Sequence, residues 1–176
     1  MEKSNWAIDP THSEIGFKVK HMMFTNVSGK FTQFEAAIQN EDDAFETSDI
    51  TFSADVNSVD TANADRDNHL RGADFFDVDN FGKLSFKSTS IQKVNEGEYK
   101  INGDLTIKDV TKNISLEAEY SGLMKDPWGN TKIGLSLNGK INRKDFGLTW
   151  NAALETGGVL VGEDIKLAAE VQFVKQ

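Results

Sequence analysis

Cysteine is absent from the 176-residue sequence, and proline occurs only twice. The lack of cysteine excludes disulfide bonds, thiolate metal sites and a cysteine nucleophile. The most apolar late segment, GGVLVG, is far too short to span a bilayer. The N-terminal segment MEKSNWAIDPTHS lacks the apolar core of a signal peptide. We therefore expect a cytoplasmic protein, although a chain from which an export signal had been removed would look the same.

Positive charge is also scarce. The sequence has 28 Asp and Glu against 19 Lys and Arg, which gives a net charge of −9. A nucleic-acid binder needs a basic face that contacts phosphates, and an anionic membrane surface attracts basic segments. We therefore expect neither a nucleic-acid partner nor stable insertion into a membrane. The length suits one domain, which we place at residues 1–176.

Alternation of apolar and polar residues is the strongest pattern in the chain. It predicts strands that begin near Ile15, Phe34, Ile50, Leu84, Tyr99, Ile114, Ile133 and Ile165. Each has one apolar and one polar face, as in an antiparallel sheet that is wetted on one side. Eight such strands can close into a barrel, so the predicted fold is an all-β, antiparallel eight-stranded barrel. A short segment around Trp6 and Ile8 is predicted to be a ninth strand or a plug.

The apolar faces of these strands should share one interior. Residues of matching parity are Phe17, Phe34, Phe52, Phe86, Ile107, Leu116, Leu135, Leu137, Leu167 and Val171. The chain has 12 phenylalanines but only 3 tryptophans and 2 tyrosines. Because phenylalanine fills apolar space and has no polar group, this composition suits either a dry cavity or a well-packed β core.

Two long connections should meet at one end of the barrel. If neighbouring strands run up and down, the loops at residues 57–81 and 143–162 lie on the same rim. The rim that holds them also receives the turns at residues 21–28 and 108–112. Loops longer than about 12–15 residues are usually functional in a compact domain. This rim is therefore the predicted mouth of any binding cavity.

The first long loop contains the dense polar segment DRDNHLRGADFF, residues 65–76. Thr61 or Asn63 is predicted to cap a short helix at about residues 61–71, and Gly72 to end it as a left-handed cap. Within such a helix Asp67 can pair with Arg71, and Asp65 with His69. The apolar side chains Leu70, Phe75 and Phe76 would then face the barrel mouth. The segment is interpreted either as a rigid polar lid or as a catalytic cluster.

The catalytic interpretation finds little support in motifs. The spacing of Asp65, Asp67 and His69 resembles a calcium loop, but the required glycine and final glutamate are missing. No nucleotide-binding loop, nucleophile elbow or zinc-protease motif occurs. We therefore predict a protein without catalytic residues, resident metal or cofactor, and keep an enzyme with His69 and Asp67 as base and orienter as an alternative.

The second long loop begins with NRKDFGLTW, residues 142–150. Phe146, Leu148 and Trp150 alternate with more polar positions, and Gly147 permits a bend. The segment is predicted to form either a barrel corner with an aromatic plug or a second wall of the mouth.

Several segments in order make the chain resemble a known family. They are WAIDPTHSEIGFKVKH, VSGKF, SVDTANADRDNHLRGADFFDV, LSFKST, INGDLTIKDVTK and INRKDFGLTW. Together they are similar to the YceI-like, lipocalin-like polyisoprenoid-binding proteins over essentially the whole length. The resemblance implies an extended lipocalin-like barrel with a long apolar channel that binds isoprenoids or other long-chain lipids, and residues 65–76 and 142–150 as the loops that frame it. It also implies that a homodimer is possible and that many relatives are exported, and no catalytic motif carries over.

The predicted function is therefore the carriage or sequestration of a long-chain apolar lipid, with that lipid as the only expected ligand. A filled barrel that acts as a dimeric interaction module remains a further alternative. The polar head of a lipid would need Arg66, Arg71, His69 or Arg143 at the mouth. The predicted ligand-binding residues are Phe17, Val19, Phe24, Phe34, Phe52, Arg66, His69, Leu70, Phe75, Phe76, Phe86, Ile107, Leu116, Leu135, Leu137, Arg143, Phe146 and Trp150.

Overall fold

The computed structural model describes residues 2–154 and 159–176. Its strands are β1 (Lys3–Ile8), β2 (Glu14–His21), β3 (Thr25–Phe31), β4 (Phe34–Glu41), β5 (Ala44–Asp55), β6 (Val59–Asp60), β7 (Lys83–Asn95), β8 (Glu98–Ile107), β9 (Val110–Tyr120), β10 (Met124–Lys125), β11 (Thr131–Asn142) and β12 (Val161–Lys175). One α-helix, α1 (Ala64–Arg71), and three 3-10 turns, Pro10–His12, Val56–Ser58 and Arg143–Phe146, complete the described elements.

The strands form a closed antiparallel barrel with eight strand positions. β1 and β2 lie end to end along β12, and β3 and β4 pair with β2 and β1 in the same way. These two bent strands are followed by β5, β7, β8, β9, β11 and β12. The pairing of β11 with β12 closes the ring, so the predicted eight-stranded barrel is confirmed.

The segment around Trp6 and Ile8 is not a plug or a ninth strand position. Trp6 pairs with Ile38 of β4 and with Lys175 of β12, and β1 is therefore the first half of the first barrel strand. The 3-10 turn at Pro10–His12 bends the chain between the two halves. The sequence pattern was ambiguous here because this turn interrupts the alternation.

The alternating pattern places the apolar residues inside, as predicted. All ten residues of matching parity belong to the apolar core or pack against it. Phe86, Ile107, Leu135 and Val171 are buried, and the other six are partly buried. The shared interior predicted from strand parity is confirmed.

One end of the barrel is closed by aromatic side chains. The ring of Phe45 stacks on Tyr120 with centroids 4.5 Å apart and meets Tyr99 edge-on at 4.9 Å. Trp6 is 1% exposed in the same core, and its Nε1 donates to Oδ1 of Asn40 at 3.1 Å. Burial raises the pKa of both tyrosines, so they remain neutral phenols within this apolar layer.

The opposite end carries the two long connections, as predicted. Residues 56–82 link β5 to β7, and the segment from residue 143 to residue 160 precedes β12. Their aromatic residues meet, because the His69 ring lies 4.6 Å from the Trp150 ring between centroids. No helix within residues 2–154 and 159–176 is long and apolar enough to cross a membrane.

Candidate functional site

A cavity of about 560 Å³ occupies the barrel interior. Its walls are the inner faces of the strands, and nearly all of its surface is apolar. Its depth is lined by Phe52, Phe86, Ile101, Leu135, Val171 and Phe173. The volume falls within the range of about 300–1,000 Å³ that is usual for small-molecule sites. The interior is therefore not completely filled by its own side chains.

The polar groups that line the cavity lie at the end with the long loops. Lys20 and His21 end β2, while Asp65, Arg66 and His69 lie on α1. The cavity is thus apolar in its depth and polar at its mouth. A ligand with an apolar chain and a polar end would match this gradient in one orientation only.

The helix α1 is held by its N-cap. Asn63 accepts a hydrogen bond at Oδ1 from the backbone N–H of Arg66 at 3.0 Å, so Asn63 and not Thr61 is the cap. The prediction that Gly72 is a left-handed cap is wrong, because its φ is −79° and its ψ is 179°. The chain leaves the helix in an extended conformation, and the backbone N–H of Phe76 donates to the carbonyl of Leu70 at 3.0 Å.

The predicted ion pairs within α1 do not form. Asp67 is buried, and its Oδ1 accepts from the backbone N–H of Thr61 at 2.9 Å and from the Thr61 hydroxyl at 2.5 Å. Arg71 donates to the carbonyls of Asn57 and Val59 instead. The i, i+4 spacing fails as a guide because buried backbone groups compete for the same side chains. Hydrogen bonds from Asp67 and Arg71 therefore hold α1 against the preceding residues 57–61, and the segment is not a surface charge network.

Arg66 is oriented by the same network. Its Nε donates to the Thr61 hydroxyl at 2.8 Å, and its Nη2 donates to the Thr61 carbonyl at 2.7 Å. Arg66 also belongs to the cavity lining. A residue at the mouth thus carries a positive charge on a fixed side chain.

His69 packs against two aromatic rings and remains partly exposed. Its Nε2 lies 2.9 Å from Oδ2 of Asp74, and its ring meets Phe75 and Trp150 edge-on at 5.0 and 4.6 Å between centroids. The pair of His69 with Asp65 is therefore replaced by a pair with Asp74. The proposed base and orienter, His69 and Asp67, also do not contact each other, since each has a different hydrogen-bond partner.

Arg143 stabilises the second long loop. It is 2% exposed and donates to the carbonyls of Leu148, Trp150, Gly162 and Val161 at 2.6, 2.9, 2.7 and 3.3 Å. Burial lowers the pKa of Arg143 from its ordinary value, and nearby Glu163 acts in the opposite direction. Four of its N–H groups are engaged by the backbone, so its main role is to shape the loop.

Most of the predicted ligand-binding residues line the cavity. They are Phe17, Val19, Phe52, Arg66, His69, Leu70, Phe75, Phe76, Phe86, Ile107, Leu116, Leu135, Leu137, Arg143 and Trp150. Their contact with a ligand remains a prediction, since geometry places them around one space but identifies no occupant.

Three of the predicted residues do not line the cavity. Phe24 lies at the tip of the β2–β3 hairpin and is 72% exposed. Phe34 starts β4 and packs beside Phe52 with ring centroids 6.5 Å apart. Phe146 ends the 3-10 turn Arg143–Phe146 and is 1% exposed within the core. Parity and loop position do not distinguish these environments.

Several lining residues were not predicted from the sequence. They are chiefly Ile15, Lys20, His21, Val27, Ala36, Thr61, Asp65, Ile101, Leu148 and Leu160. Ile15, Ala36 and Ile101 had the correct strand parity, and that signal would have found them. His21 shares the parity of Phe17 and Val19, so the same signal would have found it. Lys20 has the opposite parity and lines the cavity where β2 reaches the mouth, which alternation does not indicate. Within the described part of the chain, no group of three or more His, Cys, Asp or Glu side chains is arranged to hold a metal ion.

Comparison with known proteins gives a uniform result. A family model described as "YceI-like domain" matches residues 6–173. A UPF0312 protein of Staphylococcus aureus (strain N315) is 38% identical over 171 residues, which is 97% of both chains. The solved structure of a Campylobacter jejuni YCEI protein is 35% identical, with a TM-score of 0.76 over 89% of this chain and 90% of that chain.

A more distant structure shares the fold. It is described as a polyisoprenoid binding domain from Saccharophagus degradans implicated in plant cell wall breakdown. It is 13% identical, with a TM-score of 0.68 over 97% of this chain and 98% of that chain. At this identity the likeness extends to the barrel architecture.

Proposed function

Because the chain belongs to the YceI-like family, we propose that it binds a long-chain apolar lipid of the isoprenoid type inside the barrel and releases it unchanged. One observation carries this proposal: an apolar cavity of about 560 Å³ that is closed by aromatic rings at one end and polar at the other. The polyisoprenoid-binding description of the S. degradans neighbour supports the ligand class.

The chemistry of the cavity favours a long ligand over a short one. Burial of each methylene group contributes about 0.8 kcal/mol, whereas association costs about 4–15 kcal/mol in lost freedom of motion. A single isoprene unit would barely offset that cost, but a chain of several units would bind well. The apolar depth offers such a chain almost no polar group that would lose its hydration.

The mouth supports binding of a polar end group. Arg66 is fixed by Thr61, and His69 packs against both Phe75 and Trp150. Both side chains line the cavity beside Lys20. We propose that the tail of the ligand occupies the depth and that its head lies among these groups.

Two alternatives receive less support. An enzyme based on His69 and Asp67 lacks the geometry, because these residues bind Asp74 and Thr61 instead of each other. A filled barrel that serves only as an interaction module does not account for the open apolar interior. Binding without catalysis is therefore the proposed activity.

The test begins with the protein purified natively, without detergent, and extracted with organic solvent. Mass spectrometry of the extract should identify a long-chain isoprenoid or related lipid in near-stoichiometric amount. The extracted protein should then take up an added polyprenol, and the polyprenol should be recovered chemically unchanged. An empty extract combined with no uptake would contradict the binding proposal, and a modified polyprenol would contradict binding without catalysis.

A further inference from the structure

The tip of the β2–β3 hairpin exposes three large apolar side chains in succession. Met22, Met23 and Phe24 are 39%, 61% and 72% exposed. His21 pairs with Thr25, so these three residues form the complete connection between the strands. Single exposed apolar residues are ordinary on a protein surface, but three adjacent ones at a projecting tip form a patch.

The backbone of the tip makes this choice of residues unusual. Met22 and Met23 have φ values of 51° and 71°, in the left-handed region that favours glycine and asparagine. Bulky side chains are disfavoured at such positions, and neither methionine is buried to compensate. Neither the backbone conformation nor burial therefore explains why the residues at the tip are apolar.

The hairpin itself differs in charge from the whole chain. Residues 15–34 contain Lys18, Lys20 and Lys30 and no Asp or Glu, although the chain has 28 acidic residues. Lys18 and Lys30 are both exposed. The hairpin thus combines three lysines and an apolar tip on an acidic protein, although Asp60 pairs with Lys30 and Glu163 and Asp164 lie on the neighbouring strand β12. Lysines beside an apolar tip favour contact with an anionic lipid surface.

The hairpin is also a wall of the cavity mouth. Phe17, Val19, His21 and Val27 line the cavity from its inner face. On its inner edge β3 pairs with β2 over its whole length. On its outer edge it pairs with β6 only at Lys30 and Phe31, and the described chain provides residues 25–29 with no strand partner on that edge. The tip therefore projects at the end where the polar groups meet the apolar interior.

We propose that residues 22–24 dock the protein on an anionic lipid bilayer and place the cavity mouth against its surface. The net charge of −9 opposes a general attraction to such a membrane. Acidic residues also occur across the mouth, where Asp65 lies on α1 and Asp74 pairs with His69. The local basic hairpin selects one orientation in which the tip meets the lipid first. This inference goes beyond the proposed function, since it concerns where a lipid would enter or leave.

The absence of cysteine permits a direct test with the full chain. A single Met23→Cys substitution is labelled with an environment-sensitive fluorophore and mixed with vesicles of phosphatidylglycerol and phosphatidylcholine. The matched control is Trp128→Cys, at a site that is 83% exposed in the loop between β10 and β11 at the opposite end of the barrel. The label at position 23 should shift to shorter wavelength and the label at position 128 should not. Phosphatidylcholine vesicles or high salt should weaken the shift.

Unlabelled variants test the apolar tip and the lysines of the hairpin separately. The double substitution Met23→Ser with Phe24→Ser should reduce co-sedimentation with anionic vesicles by about fivefold or more, because it removes the apolar tip. Leu123→Ser with Trp128→Ser is the matched control and should not reduce it, although both residues are exposed. Lys18→Gln with Lys30→Gln should weaken binding more than Lys87→Gln with Lys100→Gln, which lie on exposed positions of β7 and β8.

Three outcomes would overturn the inference: wild-type protein that does not sediment with anionic vesicles, equal shifts at positions 23 and 128, or a shift at position 23 that depends on protein concentration without vesicles. The third outcome would identify a second copy of the chain as the occupant of the tip. Lipid extraction uses no vesicles, so a failure of docking and a failure of lipid binding are separate results.

Discussion

The Nη1 atom of Arg143 lies 2.9 Å from the carbonyl oxygen of Trp150. The same guanidinium binds three further carbonyls, from Leu148, Val161 and Gly162. It therefore joins the start of the second long loop to the start of β12. Because Trp150 also packs on His69 of α1, this buried arginine helps to place one loop against the other.

Arg143→Lys should destabilise the protein although it keeps the positive charge. A lysine ammonium cannot replace the planar set of four hydrogen bonds to separate carbonyls. We expect a loss of about 2–4 kcal/mol in the free energy of unfolding, because buried carbonyls are left without donors. Urea unfolding followed by circular dichroism would measure it. The control is Lys144→Gln, which breaks the exposed pair with Glu163 and should cost less than about 1 kcal/mol. Equal effects of the two substitutions would contradict the role of Arg143.

Asp67→Ala should lower the free energy of unfolding by about 1–3 kcal/mol, because it leaves the buried N–H and hydroxyl of Thr61 without their acceptor. Asp65→Ala is the matched control on the exposed surface of α1 and should cost less than about 1 kcal/mol. Chemical unfolding measures both values, and hydrogen exchange of the α1 amides should increase in the Asp67 variant. A loss for Asp67→Ala no larger than for Asp65→Ala would restore the picture of a surface charge network.

The contrast between Asp67 and Phe86 explains how much could be predicted from the sequence. Strand parity correctly predicts that Phe86 lies in the interior, because it depends only on alternation along the chain. Helical spacing predicts the wrong partner for Asp67, because its carboxylate accepts from the buried N–H and hydroxyl of Thr61, which lies outside the helix. Local spacing contains no information about such a group.

The candidate site likewise has features that the sequence predicts and features that it does not. The position of the mouth was predicted because successive loops lie at alternate ends of the barrel, which places the two long loops together. The contact between the His69 and Trp150 rings agrees with this prediction. The exposure of Phe24 and the burial of Phe146 were not predictable, because an aromatic residue in a loop suits a tip, a core or a cavity wall equally well. The family resemblance indicated a channel, and strand parity could not separate it from a filled core.

Acid should weaken the bend between β1 and β2. The Asp9 carboxylate lies 2.8 Å from Nδ1 of His12 and accepts from the Thr11 hydroxyl, and these contacts, the His12 contact above all, hold the pKa of Asp9 well below its ordinary value. A lowered folded pKa contributes stability that is complete above the unfolded pKa of about 3.9 and declines as the pH falls below it. Asp9→Asn should therefore reduce the urea midpoint more at pH 5 than at pH 3. An equal reduction at both pH values would show that the charge of Asp9 makes no contribution.

Narrowing the cavity should exclude lipid and preserve the fold. Leu137 is partly buried, lines the cavity and pairs with Ala118 and Ala169, whose small side chains leave room around it. In a solid core a Leu137→Trp substitution would cost about 1–3 kcal/mol through overpacking. In this barrel we expect the delipidated variant to melt no lower than delipidated wild type. The same variant should carry much less co-purified lipid, as measured by mass spectrometry.

Leu135→Trp is the matched comparison for that substitution. Leu135 is 3% exposed and pairs with Tyr120 and Val171 near the closed end, so a larger ring has less space and should destabilise the fold. His69→Ala should barely change lipid retention, because the apolar chain and not the imidazole supplies most of the binding free energy. Three results together would contradict the carrier function: both Trp variants unfold, the wild-type extract contains no lipid, and His69→Ala abolishes a measurable turnover. The barrel would then be an enzyme with a filled core.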